Sequence, residues 1–367
     1  MGIPSWPVSG ERERELIDQV LSSGQWGGFH PLVGQLERDF AAFQHCRFGL
    51  GAMNGTVTLE MLLEALGIGP GDEVIVPAIS FVSTATSVSR VGATPVFVDI
   101  EADTFNVDPE AIRAAITPKT KAIYAVHFGG PMADMDAIVA VAATHGITLL
   151  EDAAHAHGSE WNGVRAGSIG LAGSFSFQNG KVMTSGEGGM IVTNNLPFRV
   201  RLEEIQNQGR KAGANYFFHY TLGTNYRITA LQAAVLIAQL ERLPEQNARR
   251  ERSASIVKSE LADATGLHFQ RIPDAAKVHT NYLLTGWVDQ DRNGFHSRLT
   301  AQGFPCTPFY PHTLQNNPLY AERKNCLALP CPNAEARILD AFWIPHRVLL
   351  GDDDDARALA AAIRNSL

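Results

Sequence analysis

The chain has 367 residues, of which 45% are hydrophobic and 19% are charged, so it can bury a large core and is not a disordered protein. Its length predicts about two domains, and its net charge of −8 argues against nucleic acids and anionic membranes as partners. No apolar run reaches the roughly 18 residues of a membrane span, and no secretory signal is visible.

Short β-branched runs recur about every 25 residues in the first half of the chain, with helical patterns between them. This alternation predicts a parallel sheet that helices cover on both faces. From about residue 166 the pattern favours glycine-punctuated strands without full helices. The predicted strands are 73–76, 95–100, 121–126, 148–152, 174–177 and 190–193, and the predicted helices are 82–91, 108–116 and 134–145.

A long amphipathic helix is predicted from Ile228 towards Leu261, and mixed α/β structure with more proline follows it. We place a domain boundary inside this helix, which gives a large domain of residues 1–245 and a small C-terminal domain of residues 246–367. The run Asp352–Asp355 precedes a final helical pattern, and we expect it to cap that helix and complement its dipole.

The four cysteines, at positions 46, 306, 326 and 331, are few for a chain of this length. This usage is typical of reduced thiols in a cytoplasmic protein. Cys326 and Cys331 have no second cysteine or histidine pair at zinc-ligand spacing, so we expect no metal site.

Residues Asn54 to Thr58 precede a helical pattern that ends at Leu66. The Gly55-Thr56 step at this helix N-terminus offers free backbone N–H groups and a hydroxyl, which suit a phosphate. Taken alone, such a step is more often an ordinary helix cap.

Two titratable residues follow predicted strands. Asp152 ends the strand 148–152, and ligands of open α/β sheets bind at the carboxyl ends of the strands, although an aspartate there can equally cap a following helix. Lys181 stands among apolar and small residues between a strand and a glycine-rich turn. An amine in such surroundings suits nucleophilic attack on a carbonyl group, whereas a single lysine is more often a solvated surface residue.

A polar and aromatic turn from Tyr220 to Arg227 precedes the long helix. Asn225 and Arg227 can either cap that helix or present an amide and a guanidinium to an anion. With the other features, the turn completes the set that pyridoxal phosphate (PLP) requires, namely a phosphate site, a carboxylate for the ring nitrogen and a lysine for the aldehyde. The sequence therefore predicts a PLP enzyme.

Further motifs occur in order along the chain: GDEVIVP at 71–77, PVFVD at 95–99, KAI at 121–123, VHFG at 126–129, EDAA at 151–154, SF at 176–177 before Lys181, GEGG at 186–189 and NYR at 225–227. Together they resemble the DegT/DnrJ/EryC1/StrS family of PLP-dependent aminotransferases, which make amino sugars and aminocyclitols. The stretch 176–181 and residues 342–350 look most like the cyclitol-aminotransferase and aminohydroxybenzoate-synthase branches of that family.

The resemblance implies an α/β fold of PLP fold type I, with a large, mostly parallel seven-stranded sheet domain and a smaller C-terminal α/β domain. It also implies that Lys181 holds the cofactor covalently and moves a proton, and that Asp152 pairs with the pyridine nitrogen. The other implied positions are Phe81 and His155 at the cofactor ring, Gly55, Thr56, Val57, Ser176, Gln178 and Asn225 at its phosphate, and Arg227, Tyr310, His312 and His346 at the substrate. Phe81 can also be an ordinary core residue, and His155 can also be a histidine with a purely structural role.

Asn225 matches a contact that the neighbouring subunit makes in the family, so the resemblance implies a homodimer with shared active sites. The implied activity is transfer of an amino group from glutamate or glutamine to a keto-sugar or keto-cyclitol. Such a reaction belongs to amino-sugar, cell-envelope or antibiotic-type biosynthesis in the cytoplasm.

Three other functions compete with this one. An aromatising dehydratase of the aminohydroxybenzoate-synthase kind keeps the lysine and stays open, whereas sugar 3-dehydratases that resemble the family replace it by histidine. A nucleotide-binding protein is disfavoured because Gly-x-Gly-x-x-Gly is missing and Gly180-Lys181 is followed by valine. The complete cofactor set argues against a non-catalytic protein of the same fold.

Overall fold

A computed structural model of the chain describes residues 3–323 and 325–367. Within them the α-helices are α1 (Glu11–Ser23), α2 (Pro31–Phe43), α3 (Gly55–Leu66), α4 (Ser83–Arg90), α5 (Pro109–Ala115), α6 (Met135–His145), α7 (Leu196–Gln206), α8 (Ala230–Glu260), α9 (Arg292–Ala301), α10 (Pro318–Ala321), α11 (Pro332–Asp340) and α12 (Asp353–Arg364). Short 3-10 helices span Asp274–Ala276 and His346–Leu350.

The strands form a large sheet, a small sheet and a two-stranded ribbon. They are β1 (Phe48–Ala52), β2 (Glu73–Pro77), β3 (Thr94–Val98), β4 (Thr120–Val126), β5 (Thr148–Asp152), β6 (Glu160–Trp161), β7 (Val164–Arg165), β8 (Ala172–Ser176), β9 (Gly189–Thr193), β10 (Leu267–Phe269), β11 (Leu283–Val288), β12 (Thr307–Pro308), β13 (Leu327–Ala328) and β14 (Ala341–Pro345). The large sheet has the order β1-β9-β8-β5-β4-β2-β3-β13, and the small antiparallel sheet has the order β10-β11-β14-β12. Only β9 runs against its neighbours in the large sheet, so that sheet is mostly parallel.

The predicted mostly parallel α/β fold is confirmed, with two differences. The large sheet has eight strands rather than seven, because residues Leu327–Ala328 of the C-terminal region pair with β3. The expectation of no full helix after residue 166 is wrong, because α7 follows β9. Its N-cap is Asn195, whose side chain accepts a hydrogen bond from the Phe198 amide.

The large sheet separates two apolar cores. Ile75 of β2 belongs to one core, whereas its neighbours Val74 and Val76 belong to the other, as the alternation of side chains along a strand requires. The first core also takes in α1, α2, α5, α6 and the first half of α8, and the second takes in α3, α4 and α7. Helices therefore cover both faces of the sheet, as predicted.

The C-terminal region has an apolar core of its own. Ala254 and Val257 from the second half of α8 join residues of the small sheet, α9 and α12 in this core. Leu314 and Tyr320, however, pack into the core of the large sheet. Helix α8 runs through residue 245 without interruption, so the domain boundary there stays a prediction.

Two helix ends bear on the sequence analysis. Asp352 caps α12, with its carboxylate accepting a hydrogen bond from the Asp355 amide, as predicted. Thr229 caps α8 in a reciprocal arrangement with Gln232, so neither Asn225 nor Arg227 caps that helix. In the described ranges, no helix combines the length and the apolar character that crossing a membrane demands.

Candidate active site

The predicted cofactor residues converge on the carboxyl edge of the large sheet. Ser176 ends β8 and pairs in register with Gly189, which pairs in turn with Ala52 at the end of β1. Asp152 ends the adjacent strand β5. Parallel strands bring their carboxyl ends to one edge, where open α/β sheets bind ligands.

Asp152 is a buried carboxylate at this edge. Its Oδ2 accepts a hydrogen bond from the hydroxyl of Thr84 at 2.7 Å, and its Oδ1 accepts one from the Ala154 amide at 3.3 Å. Burial raises the pKa of Asp152, while the Thr84 hydroxyl and then the Lys181 ammonium oppose that shift. The bond from the Ala154 amide caps the turn that follows β5. This role does not conflict with the predicted cofactor role of the same side chain.

The neighbouring Glu151 points away from Asp152 and fastens the strand end. Its carboxylate lies 3.0 Å from Nε2 of His127, and both side chains are fully buried. It also accepts hydrogen bonds from the amides of Gly167, Ile169 and Gly170. Four donors on one carboxylate leave little freedom to the backbone that carries Asp152.

The predicted phosphate loop lies against Ser176. A Cβ on Gly55 would stand 2.7 Å from the Cβ of Ser176, so only glycine allows this close approach. Thr56 Oγ1 lies 2.8 Å from Ser83 Oγ. Asn54 caps α3 with its side chain, which accepts a hydrogen bond from the Val57 amide at 2.9 Å. The Val57 amide, a predicted phosphate donor, is thus engaged by Asn54 in this structure.

Lys181 lies in an irregular loop between β8 and β9, and its side chain is half-buried. Its Nζ lies 4.7 Å from the ring centroid of Tyr282. Gln178 shapes the turn before the lysine, because its carbonyl accepts from the Lys181 amide at 2.9 Å and its side chain accepts from the Gly180 amide at 2.7 Å. The structure thus gives the predicted phosphate residue Gln178 a local role in holding the loop.

His155 is buried beside the same tyrosine. Its ring centroid is 4.3 Å from that of Tyr282, and its Nδ1 accepts a hydrogen bond from the Gly129 amide at 3.3 Å. Burial, followed by the charge of Lys181, lowers the pKa of His155 well below its ordinary value. The side chain is therefore neutral and protonated on Nε2 at physiological pH.

Phe81 follows β2 at the same edge and is 58% exposed, so it is not a core residue. Tyr310 stands in an aromatic cluster, with its ring centroid 5.2 Å from that of Trp343 and 6.2 Å from that of Phe128. Burial, together with nearby Tyr282 and Asp152, raises the pKa of the Tyr310 hydroxyl.

The other two histidines predicted at the substrate differ from each other. His312 is exposed at the surface. His346 is buried and faces the lysine loop rather than open space, because its Nε2 lies 3.1 Å from the Gly180 carbonyl oxygen. His346 therefore contacts the backbone next to Lys181, and its predicted place at the substrate stays a prediction.

Asn225 and Arg227 run beside the end of β1. Arg227 pairs with Ala52 in an isolated bridge, and its guanidinium donates to Asn207 Oδ1 at 2.8 Å. Asn225 pairs with Asn207 in another isolated bridge and keeps its side chain exposed. Within the described residues of one chain, neither side chain hydrogen-bonds to the predicted phosphate residues.

Two residues of the site have no counterpart in the sequence analysis. Thr84 lies just after the carboxyl end of β2, and the position of Phe81 in the same segment was a usable signal for it. Tyr282 lies about a hundred residues after Lys181 in the chain, and no local pattern connects the two.

The residues present fit PLP. Gly55 brings the N-terminus of α3 against Ser176, the buried Asp152 can pair with a pyridinium, and Lys181 supplies the amine. Phe81 offers an exposed ring for stacking. When bound, PLP supplies an aldehyde that bonds to amines and a ring that takes up electrons from the bond to be broken.

Known proteins resemble this chain over nearly its whole length. Residues 7–364 match the model of the DegT/DnrJ/EryC1/StrS aminotransferase family. The chain is 37% identical to the 3-amino-5-hydroxybenzoate synthase of Amycolatopsis mediterranei, over 99% of this chain and 97% of that protein. It is also 37% identical to the L-glutamine:2-deoxy-scyllo-inosose aminotransferase of Streptoalloteichus tenebrarius, over 99% of this chain and 94% of that protein.

Among solved structures, that of 3-amino-5-hydroxybenzoic acid synthase superposes with a TM-score of 0.94 at 36% identity. The match covers 99% of this chain and 98% of the other. The chain belongs to the DegT/DnrJ/EryC1/StrS aminotransferase family and is a PLP-dependent aminotransferase.

Proposed function

We propose that the enzyme moves an amino group from glutamine or glutamate to a keto-cyclitol or keto-sugar. The donor becomes a 2-oxo acid and the ketone becomes an amine, so no external oxidant or reductant is needed. The observation that carries this proposal is that buried Asp152 and half-buried Lys181 lie at the same edge of the large sheet. The aminotransferase of S. tenebrarius, named for L-glutamine and a keto-cyclitol, supports the choice of substrates.

In this proposal Lys181 and Asp152 are the catalytic residues. With PLP bound, Lys181 would hold it through its aldehyde, and the free amine of Lys181 would carry the proton that leaves the substrate Cα. Asp152 would keep a proton on the ring nitrogen. Phe81 and His155 flank the ring, and neutral His155 adds no positive charge beside it.

We assign the phosphate to Gly55, Thr56, Ser176 and Gln178, with the Val57 amide available only if Asn54 releases it. No lysine or arginine occurs in residues 54–58, and a helix N-terminus carries only about half a positive charge. Further donors are therefore needed. Asn225 of a second copy supplies one in this proposal. The candidates for substrate contact remain Arg227, Tyr310, His312 and His346.

A homodimer is supported by apolar surface around the Asn225 turn. Leu222 is 96% exposed and Phe217 is 80% exposed in the segment that leads into the turn. Exposed Phe29 lies beside the same turn, with the Arg227 guanidinium 5.2 Å from its ring centroid. Several exposed apolar side chains near one turn are typical of an interface, and a second copy that inserts Asn225 would cover them.

We also propose the cytoplasm as the compartment and residue 245 as the domain boundary. All four cysteines are free thiols, which a reducing compartment maintains. A separate apolar core formed by residues from 254 onward, together with Ile3, supports the boundary.

A second candidate is an aromatising dehydratase of the aminohydroxybenzoate-synthase kind. The synthase of A. mediterranei and the solved synthase structure favour it, and Lys181 is compatible with either reaction. The two reactions differ in their products: aromatisation releases water and forms an aromatic ring, whereas transamination consumes a donor and releases a 2-oxo acid.

The test is to give the PLP-loaded enzyme glutamine, glutamate or neither, together with 2-deoxy-scyllo-inosose or a nucleotide-linked keto-hexose. We expect the visible absorbance of the lysine-bound cofactor to fade with an amino donor, and an acceptor to restore it while its amine forms. Failure of both donors to bleach the cofactor, with an aromatic product from an amino-cyclohexenone acid, would establish the second candidate instead.

A further inference from the structure

The loop that carries Lys181 is held through its backbone carbonyls. Asn179 and Gly180 precede the lysine and Val182 follows it. Each of these three carbonyl oxygens accepts a hydrogen bond from a side chain that lies far away in the sequence. An irregular loop has few internal hydrogen bonds of its own, so such donors determine how well it is ordered.

The first donor is Trp6, near the start of the chain. Its Nε1–H donates to the Asn179 carbonyl oxygen at 2.9 Å, and its side chain is half-buried. An indole has one donor and no acceptor, so this bond uses its whole polar capacity.

The second donor is His346, at the start of a 3-10 helix. Its Nε2 lies 3.1 Å from the Gly180 carbonyl oxygen, which can only accept, so the proton lies on Nε2. The His346 ring meets the Trp6 ring edge-on, with centroids 4.6 Å apart, and lies nearly parallel to the Tyr282 ring at 5.8 Å. This places the histidine between the tryptophan and the tyrosine that contacts Lys181.

The third donor is Arg250 of α8, which is completely buried. Within the described residues it has no carboxylate partner at salt-bridge distance, and burial lowers its pKa to about 9. Its guanidinium donates to the Val182 carbonyl at 3.4 Å and to Asn247 Oδ1 at 2.8 Å. Burying a cation without a counter-ion is costly, and the hydrogen bonds that Arg250 donates to Val182 and Asn247 offset part of that cost.

We propose that Trp6, His346 and Arg250 are positioning residues for Lys181, and that they act through the three carbonyls on either side of it. They come from the N-terminal segment, α8 and the C-terminal region, so three distant parts of the chain fix the lysine loop. This inference rests on the proposed role of Lys181 as the residue that binds the cofactor.

The sharpest test replaces Trp6 by phenylalanine, which keeps an aromatic ring and removes the N–H. The matched control is Trp161→Phe, because the Nε1 of Trp161 is buried and has no partner in the described parts of the chain. Hydrogen exchange of residues 177–186 is measured in the cofactor-free protein, and the rate at which added PLP becomes lysine-bound is measured by absorbance. We expect Trp6→Phe to accelerate that exchange and slow lysine binding about fivefold, the effect of one neutral hydrogen bond. Trp161→Phe should leave both rates unchanged.

A second pair of variants separates the hydrogen bond of His346 from its packing. The amide of His346→Gln can occupy the place of Nε2 and still donate, whereas His346→Leu fills space and donates nothing. We expect the glutamine variant to keep most of the rate of lysine binding and the leucine variant to lose about fivefold.

Equal rates in Trp6→Phe and Trp161→Phe, or no advantage of His346→Gln over His346→Leu, would overturn the inference. If Trp6→Phe does not fold, the His346 pair decides alone. A cofactor that still binds covalently in Lys181→Ala would instead overturn the proposed function on which the inference rests, so the two failures are distinguishable.

Discussion

The hydroxyl of Thr84 on α4 donates its hydrogen to Oδ2 of Asp152 on β5, across 2.7 Å. Ser80 Oγ lies 2.7 Å from the same Thr84 oxygen and therefore donates to it. A chain of two hydroxyls thus ends on the carboxylate. Because burial raises the pKa of Asp152, this donor helps keep the carboxylate charged at neutral pH.

Removing the Thr84 hydroxyl should slow catalysis without loss of the bound cofactor. We expect Thr84→Val to raise the pKa of Asp152 further and to slow reaction of the bound cofactor with glutamine about tenfold or more, as for a hydrogen bond to a charged group. The rate is measured against pH under single-turnover conditions. Thr84→Ser keeps the hydroxyl and serves as the control; a valine variant as fast as the serine variant would contradict the role.

Replacing the carboxylate itself should be far more damaging. Asp152→Asn keeps the shape and removes the charge that holds a proton on the ring nitrogen. We expect the half-reaction rate to fall by several powers of ten, since one buried charge-assisted contact is worth roughly 3–5 kcal/mol. Stopped-flow absorbance checks this, and a near-normal rate would exclude the proposed role.

Lys181 should be the residue that carries the cofactor. Borohydride reduction of the loaded enzyme, followed by peptide mapping, should mark Lys181 and no other lysine. Lys181→Ala should lose turnover completely while it still binds PLP without a covalent bond. Lys121, on the opposite half of strand β4 from the site, provides a control for non-specific labelling.

If active sites are shared, two inactive variants should complement each other. Asn225→Ala weakens phosphate binding and Lys181→Ala removes the amine, so in a mixed dimer one of the two sites receives both intact residues. We expect activity to return on mixing, up to the level allowed by the fraction of mixed dimers that random subunit pairing produces. Subunit exchange is verified first with distinguishable tags; exchange without activity would show that Asn225 serves its own chain.

Stability should fall on acidification because of buried histidine. Burial lowers the pKa of His157 to about 3, while its Nε2 donates to the Ser176 carbonyl at 2.9 Å. The unfolded chain binds a proton near pH 6.5 and the folded chain does not, so stability present above pH 6.5 is lost as the pH falls towards 3. The expected slope is about 1.4 kcal/mol per pH unit for this one side chain.

Denaturant unfolding of the cofactor-free protein between pH 7 and pH 4.5 measures that slope. His157→Gln keeps a donor for the Ser176 carbonyl and should flatten the dependence. His312→Gln removes an exposed histidine and should leave it as in the parent. Identical slopes in all three proteins would contradict the assignment to His157.

Sequence reasoning located residues well where their position depends on local order. Asp152 lies at a strand end, Gly55 at the start of a helix and Lys181 before a glycine-rich turn, and the chemical use that these positions indicate stays a prediction. Sequence reasoning failed for contacts between residues that are far apart in the chain and meet only when it folds. Tyr282 lies just before β11 of the small sheet and contacts Lys181. His346 contacts the Gly180 carbonyl, and no sequence pattern indicates that contact.

The missed elements have separate reasons. Strand β13 is two residues long, too short for any periodicity to indicate it. Helix α7 had usable signals in its cap Asn195 and in Pro197, but the glycine-rich residues before it dominated the interpretation of that region.

Strand β13 also determines when the protein can finish folding. Until residue 328 has left the ribosome, β3 is the last strand on its side of the large sheet, with its outer N–H and C=O groups unpaired. An open strand edge of this kind is a template for aggregation, and the nascent chain carries it through the synthesis of more than two hundred residues after β3. A fragment that stops at residue 245 keeps that edge permanently, so the large domain expressed alone should aggregate where the full chain does not.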